Sequence, residues 1–434
     1  MTAAPSATIE GPAERRTGWQ LLRTNPDFRA LFAAQVVSLG GDWFATVALL
    51  GIVGELSSSP SLAKGLVFVA QSLPAFVVTP LAGPVADRYD RRRVMLIVSF
   101  LQAVAALGFL AIGPGRIWVA YVAMSVVAAL GAFFGPASQA AVANLVDPED
   151  LPTAMSTLGA TWGTMLAVGA SLGGIFTKLF GRRASFMADA SSFLVAGLIL
   201  LLIRRSTRAP SSGTRTRMRP LHDTREALAL ARNDRYLRAL LPSKAGNGLA
   251  SGVVGILTVL AVKRFHAGDG GTGVLLGARG LGVVLGPILA GRLGGDRNIT
   301  RILRMCAFGS LCYGAFYVGV AVAPTIALAA LFATIAHLGG GAQWTLSTLG
   351  LTVATPDEFR GRILSADFAL VTLTMSISFV LAGLMADHWG AGIALTVFAA
   401  VAIVWGLFYL RLTAKLRDDH DTADAAAATA PTAP

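Results

Sequence analysis

Apolar runs of roughly 20 residues recur from one end of this chain to the other, each long enough to cross about 30 Å of hydrocarbon. Inside a bilayer no water bonds the backbone, so each run has to fold as a helix that satisfies its own amides. Twelve are expected, numbered spans 1 to 12, near 29–53, 61–84, 93–113, 117–141, 155–179, 184–203, 240–262, 272–292, 302–322, 325–350, 363–386 and 390–411. Composition agrees: only 14% of the 434 residues are charged, against about 25% in soluble proteins. The chain reads as an all-α integral membrane protein embedded in a lipid bilayer.

The net charge of +12 would suit a nucleic-acid partner if the basic residues formed one patch. They alternate between loops instead, so no nucleic acid is expected. Of the 36 Lys and Arg, 27 fall in segments that one orientation places inside, and 7 fall outside. The remaining two, Lys244 and Arg279, lie within spans. This asymmetry predicts cytoplasmic N- and C-termini in a bacterial-type inner (plasma) membrane. The predicted organisation is a cytoplasmic segment (1–28), a six-helix bundle (29–203), a basic cytoplasmic loop (204–238), a second six-helix bundle (239–412) and a disordered tail (413–434). No cleavable signal peptide is read at the N-terminus, so span 1 is expected to serve as the insertion signal.

The two halves repeat. Gly83 in LAGPVADR corresponds to Gly291 in LAGRLGGDR, 208 residues later, and Pro148 in LVDPEDL corresponds to Pro356 in VATPDEF at the same offset. One offset joining two landmarks implies a parallel duplication of six spans about an axis along the membrane normal. The second copy of the first landmark is degraded, with Asp296 one place late.

Between spans 2 and 3 lies LAGPVADRYDRRRV, a charged turn in which Gly83 permits a close helix approach and Asp87 and Arg88 close the turn. Arg91, Arg92 and Arg93 anchor the next helix. The stretch resembles the G-x-x-x-D-R-x-G-R-R signature of the major facilitator superfamily, matched by Gly83, Asp87, Arg88, Arg91 and Arg92, with Asp90 in place of the second glycine. QVVSLGGDWFATVAL in span 1, FFGPASQAAVANLVDPEDLPTAMS at the end of span 4 and FMADASSF in span 6 narrow the resemblance to the macrolide-efflux-like drug:proton antiporters. Span 5 keeps Gly169, Gly173 and Gly174 of that group's G-P-x-x-G-G, with Ala170 at the proline position. The resemblance implies twelve helices in two pseudo-symmetric bundles, a monomer, protons as coupling ion and a small amphipathic organic substrate. It also implies a gating role for the signature turn, with Asp87 meeting the start of span 11 near Arg360 and Arg362.

Transport needs polar groups on helix faces at membrane depth, where facing lipid would be costly. Span 1 aligns Gln35, Ser38, Asp42 and Thr46 on one face, and span 7 aligns Lys244, Asn247, Ser251 and Thr258. Span 10 does the same with Thr334, His337, Gly341, Trp344 and Thr348, whereas span 4 offers only Tyr121 and Ser125. These are the spans that the resemblance places around a central cavity. Asp42 is the expected proton-coupling or substrate-contacting carboxylate. Arg279, expected about seven residues into span 8, has three uses open to it: pairing with Asp42, contacting an acidic substrate, or snorkelling outward. His337 suits either a proton step or a hydrogen-bonded packing role. Asp189 reads as an interfacial structural group, and Asp367 as a partner of the span 11 N-terminus.

No G-x-x-x-x-G-K-[ST] phosphate loop occurs, which argues against an ATP-driven pump. The five histidines show no metal-ligand spacing, and Cys306 and Cys312 read as packing residues, so neither an enzyme, a metal nor a cofactor is expected. The leading expectation is proton-coupled efflux of drugs or natural products by alternating access. The alternatives are a permease or exporter for lysophospholipid or siderophore-type substrates, and a non-transporting receptor.

Overall fold

The computed structural model describes residues 16–207, 229–293 and 298–418. Among these residues, twelve helices are long and apolar enough to cross a membrane. Spans 1 to 6 are Pro26–Leu56, Pro60–Arg88, Arg91–Leu107 (continued by a 3-10 turn, Gly108–Ala111), Trp118–Leu145, Leu151–Phe180 and Arg182–Leu200. Span 7 consists of two helices, Arg235–Ala250 and Gly252–Lys263. Spans 8 to 12 are Gly268–Leu293, Ile299–Val322, Ile326–Ala354, Asp357–Trp389 and Ala391–Leu412. A short helix, Gly18–Thr24, precedes span 1. Most of the expected central loop, the tail beyond 418 and Asp296 lie outside the described residues.

Capping chemistry makes several helices longer than their apolar runs. Span 1 starts at Pro26 because Asn25 accepts a 2.9 Å bond from the Phe28 amide, and proline suits the first helical position. The Asn25 side-chain amide also donates to the Leu145 carbonyl at the end of span 4, so one residue satisfies two helix ends. Gly181 (φ 83°) and Gly390 (φ 97°) adopt left-handed backbone conformations, turning span 5 into span 6 and span 11 into span 12. They are matching corners of the two repeats.

In the first half, span 1 packs on spans 5 and 6, span 2 on span 4, and span 3 on spans 4 and 6. In the second half, span 10 packs on spans 8 and 9, span 9 on span 12, and span 7 on spans 11 and 12. The halves meet through spans 5 and 8 and through spans 2 and 11. This gives two six-helix bundles related by an approximate two-fold axis. Large apolar side chains left exposed, such as Val104, Leu202 and Val404, are what hydrocarbon requires outside such bundles.

Spans 1 and 12 begin and end on one side, called here the terminal side; the opposite side is the far side. Glycines at the bundle interface show where the halves touch. At the far end of spans 5 and 8, a Cβ added at Gly174 would lie 2.8 Å from the Gly273 Cα, and one at Gly383 in span 11 would lie 2.6 Å from the Leu62 Cα in span 2. Nearer the terminal side of the same spans, Cβ atoms at Gly159, Gly291 and Gly361 would meet nothing within 4 Å. The bundles are closed against each other at the far side and part towards the terminal side.

Candidate transport site

In the N-terminal bundle, span 1 carries the expected polar face, and the structure places its members differently. Gln35 donates to the Thr161 hydroxyl (3.0 Å) and accepts from Ser138 (3.5 Å), tying span 1 to spans 5 and 4. Ser38 is half-buried without a described bond to another span, and Thr46 is fully buried, its hydroxyl bonded to the Asp42 carbonyl at 2.7 Å. Asp42 is half-buried, sixteen residues after Pro26, which puts it about 24 Å along the helix. Its acidic neighbour is Asp189 of span 6, and the pairing with Arg279, one of the three uses the sequence left open, is not formed. Asp189, seven residues into span 6, is buried among the helices, and its Oδ1 has no hydrogen-bond partner. Close approach of the two spans makes this juxtaposition possible: a Cβ at Gly41 would collide with Ser192 and lie 3.1 Å from Asp189 Oδ1.

In the C-terminal bundle, span 7 breaks at Ser251. The Ser378 hydroxyl of span 11 bridges the break, accepting from the Gly252 amide (2.8 Å) and donating to the Leu249 carbonyl (2.6 Å). One side chain from a neighbouring helix thus replaces bonds lost where the helix is interrupted, as happens in broken transporter helices. Around the break, Asn247 donates to Gln343 of span 10, Gln343 donates to the Ser243 carbonyl (2.8 Å), and Ser310 of span 9 donates to Gln343 (3.2 Å). Ser251 itself bonds back to the Asn247 carbonyl.

Towards the terminal side of the same bundle, Lys244 and Asp367 form a buried ion pair. The Lys244 ammonium also bonds Thr348 (2.8 Å) and lies 4.9 Å from the ring centre of Trp344, which is itself exposed. Asp367 therefore neutralises a cation on span 7, instead of serving the span 11 N-terminus. The two residues are distant in sequence, and their pairing has no local sequence signal.

His337 is buried, and its Nε2 makes a 2.8 Å hydrogen bond with the Tyr317 hydroxyl. Tyr313 meets the imidazole edge-on, with ring centres 5.1 Å apart. Arg279 lies against this group. Because span 8 starts at Gly268, Arg279 sits eleven residues, about 16 Å, into the helix. That is deeper than the sequence spacing suggested and beyond comfortable snorkelling reach.

The far side is latched by side chains that cross between bundles. Arg182 at the start of span 6 bonds Asp269 in the first turn of span 8 (2.8 Å) and Glu55 at the end of span 1 (2.7 Å). Lys64 of span 2 donates to the Thr258 carbonyl of span 7 (2.9 Å), and Phe68 stacks on Phe379 of span 11 with centroids 5.0 Å apart. Asp387, near the end of span 11, accepts the Ser61 and Leu62 amides at 2.9 Å each. Ser59, the N-cap of span 2, supplies no side-chain bond, so a carboxylate from the other bundle caps this helix. Asp387→Ala removes both bonds and the favourable charge at the helix start, a loss of about 1 kcal/mol, or fivefold, in favour of far-side opening. Spin labels at Ser58 and Trp389, with Cys306 and Cys312 replaced by Ser, should then report a larger long-distance population. An unchanged distance distribution would show that Asp387 holds nothing closed.

At the signature turn, only Tyr89 and Asp90 join spans 2 and 3. Gly83, Asp87 and Arg88 thus belong to the last turns of span 2, not to a loop. Asp90, standing where the signature has glycine, N-caps span 3 through a 3.0 Å bond from the Arg93 amide. Arg91 donates to the Ala140 carbonyl (2.8 Å), and Arg92 donates to the Leu200 (3.0 Å) and Leu201 (2.6 Å) carbonyls. These cations sit at the C-terminal ends of spans 4 and 6, where the helix dipole favours them. The side chain of Asp87 and the surroundings of Gly83 lie outside the described residues, as does the expected contact of Asp87 with span 11.

The sequence profile of the transmembrane secretion effector family matches residues 16–433. Among curated proteins, the uncharacterized MFS-type transporter YfiS of Bacillus subtilis is 23% identical over 403 residues, covering 90% of this chain and 94% of that protein. The multidrug efflux pump Tap of Mycobacterium tuberculosis is 26% identical over 405 residues, with the same coverage of both chains. Among solved structures, a bacterial homolog of the human lysosomal transporter Spinster, inward-facing and unoccupied, superposes with a TM-score of 0.70 at 13% identity, covering 90% of this chain and 97% of that one. The POT family transporter PepTSo gives 0.69 at 13% identity, covering 90% and 98%. A profile match over nearly the whole chain, twelve spans and two bundles together make this chain a membrane transporter of the major facilitator superfamily, in its transmembrane secretion effector family.

Proposed function

We propose that this chain is a secondary active exporter of amphipathic drugs or natural products, driven by protons moving the opposite way. The observation that carries the reading is the Asp42–Asp189 pair: two carboxylates at membrane depth, with no basic group bonded to either among the described residues. Mutual repulsion makes protonation of one depend on the other. A pair so placed on spans 1 and 6 can take up a proton from one side and release it to the other as the bundle changes its exposure. The relationship to multidrug efflux pump Tap supports the direction and the substrate class.

The excess of Lys and Arg on the terminal side supports placing that side in the cytoplasm. In that orientation the described state is open inward and latched outward, ready to receive substrate from the cell. The reverse state needs the Arg182 and Asp387 latches broken and the terminal side closed. Span 2 begins under Asp387 and carries Asp87 one residue before its other end, and the signature resemblance supports Asp87 as the group that would cap span 11 in the closed-inward state. The two carboxylates would then alternate as latches at opposite ends of one helix pair.

The test uses everted membrane vesicles from cells producing this chain. Labelled amphipathic compounds should accumulate in them when the lumen is acidified, and the accumulation should collapse on adding a protonophore. Accumulation that ignores the gradient would contradict the coupling, and binding without accumulation would mark a receptor.

A further inference from the structure

Arg279 is an unmatched cation at membrane depth among the described residues. Its Nε is buried without a hydrogen-bond acceptor, and the groups that feel its charge are Tyr313 and Tyr317 of span 9 and His337 of span 10. No described carboxylate pairs with it: Asp367 is committed to Lys244, Asp269 to Arg182, and Asp42 lies beside Asp189. A guanidinium withdrawn from water costs several kcal/mol unless it is paired and hydrogen-bonded. The residue as a whole stays partly accessible, so a partner can reach it.

The surroundings are built for an oxyanion. Tyr317 is fixed by its bond to His337, and the Tyr313 hydroxyl lies within reach of both Tyr317 and Ser251, the residue at which span 7 breaks. Spans 7, 8, 9 and 10 thus converge on one guanidinium with two phenols beside it. A guanidinium offers a planar fork of donors that matches a carboxylate, and phenols can add donors at its edge. The Tyr313 and Tyr317 rings, 4.9 Å apart, give an aromatic wall for an apolar body. We propose that this cluster binds the carboxylate of an amphipathic organic acid or zwitterion, and that Arg279 supplies the counter-charge. The depth of about 16 Å along span 8 puts the site well below lipid headgroups.

This inference rests on the export reading for the ligand's passage, but its test does not. Equilibrium binding in nanodiscs needs no gradient, so a failure of proton coupling would leave binding intact, and a failure of binding would leave coupling intact. The probe is N-dansyl-phenylalanine, an apolar fluorophore with one carboxylate, compared with its neutral methyl ester on the full-length protein in phosphatidylcholine nanodiscs. Wild type should bind the acid about tenfold or more tighter than the ester, the size expected for a hydrogen-bonded charge contact. Arg279→Gln should abolish that preference and leave ester affinity within about twofold, and Arg279→Lys should keep part of it. Tyr313→Phe, which keeps the ring and the charge, should reduce the preference severalfold and serves if the arginine variant fails to fold. Equal binding of acid and ester by wild type would overturn the proposal. So would an undiminished preference in both Arg279→Gln and Tyr313→Phe, or displacement of the acid by added phosphatidylglycerol, which would make the site one for a lipid headgroup.

Discussion

Asp42→Asn should lower gradient-driven export about a hundredfold, the low end of what losing a positioned proton-transfer group costs. The variant should still insert, fold and bind substrate. Asparagine keeps the size of the side chain and its hydrogen-bonding capacity, and removes only the titrating group. Asp189→Asn should have a comparable effect, because the proposed coupling belongs to the pair and not to one residue. The double variant should be little worse than either single one, as expected for groups that act as a unit. Flux, binding and melting temperature measured on the same preparations separate three roles. Lost flux with retained binding marks coupling, lost binding marks substrate contact, and a depressed melting temperature marks structure. Full pH-dependent export by a stable Asp42→Asn protein would send the proton elsewhere.

The largest stability effect should come from halving the Lys244–Asp367 pair. Both side chains are nearly inaccessible, at 4% and 5% exposure. Lys244→Met leaves an uncompensated carboxylate in the C-terminal bundle and should cost about 3–5 kcal/mol. Asp367→Leu strands the ammonium, which the Trp344 ring and Thr348 hydroxyl only partly satisfy, and should cost about as much. Replacing both together should recover most of the loss, since a buried pair and an apolar pair of similar volume are often close in stability. Thermal unfolding in detergent measures all three variants. Single replacements that cost under about 1 kcal/mol would mean that water reaches the pair.

The fold was legible because it obeys one dominant constraint. Hydrocarbon thickness sets the length of each apolar run, and one shared offset reveals the duplication within it. The polar faces of spans 1, 7 and 10 were also readable, because helical periodicity is local. What escaped the sequence was every relation between helices. The neighbour of Asp189 was hidden because nothing in the apolar run shows how closely Gly41 draws span 6 against span 1. Asp367 and Lys244 were each visible, but their pairing depends on how spans 7 and 11 cross. Tyr313 and Tyr317 were not singled out; the available signal was two hydroxyls four residues apart in an apolar run, each needing a partner. The break in span 7 was hidden because Ser251 fits the polar face of an uninterrupted helix, and only Ser378 from span 11 makes the interruption tolerable. Asp387 escaped because a carboxylate near a far-side corner looks like ordinary surface charge.

The central claim is that substrate leaves as protons enter, and the most direct measurement is substrate-induced proton movement. Purified protein is reconstituted into liposomes carrying a lumenal pH dye, and a transported compound identified in the vesicle screen is applied as a concentration gradient with no pH gradient imposed. The account predicts that wild type moves protons against the direction of substrate flow, and that Asp42→Asn and Asp189→Asn lose this signal while retaining substrate binding. Substrate flow through wild type with a silent pH dye would contradict it.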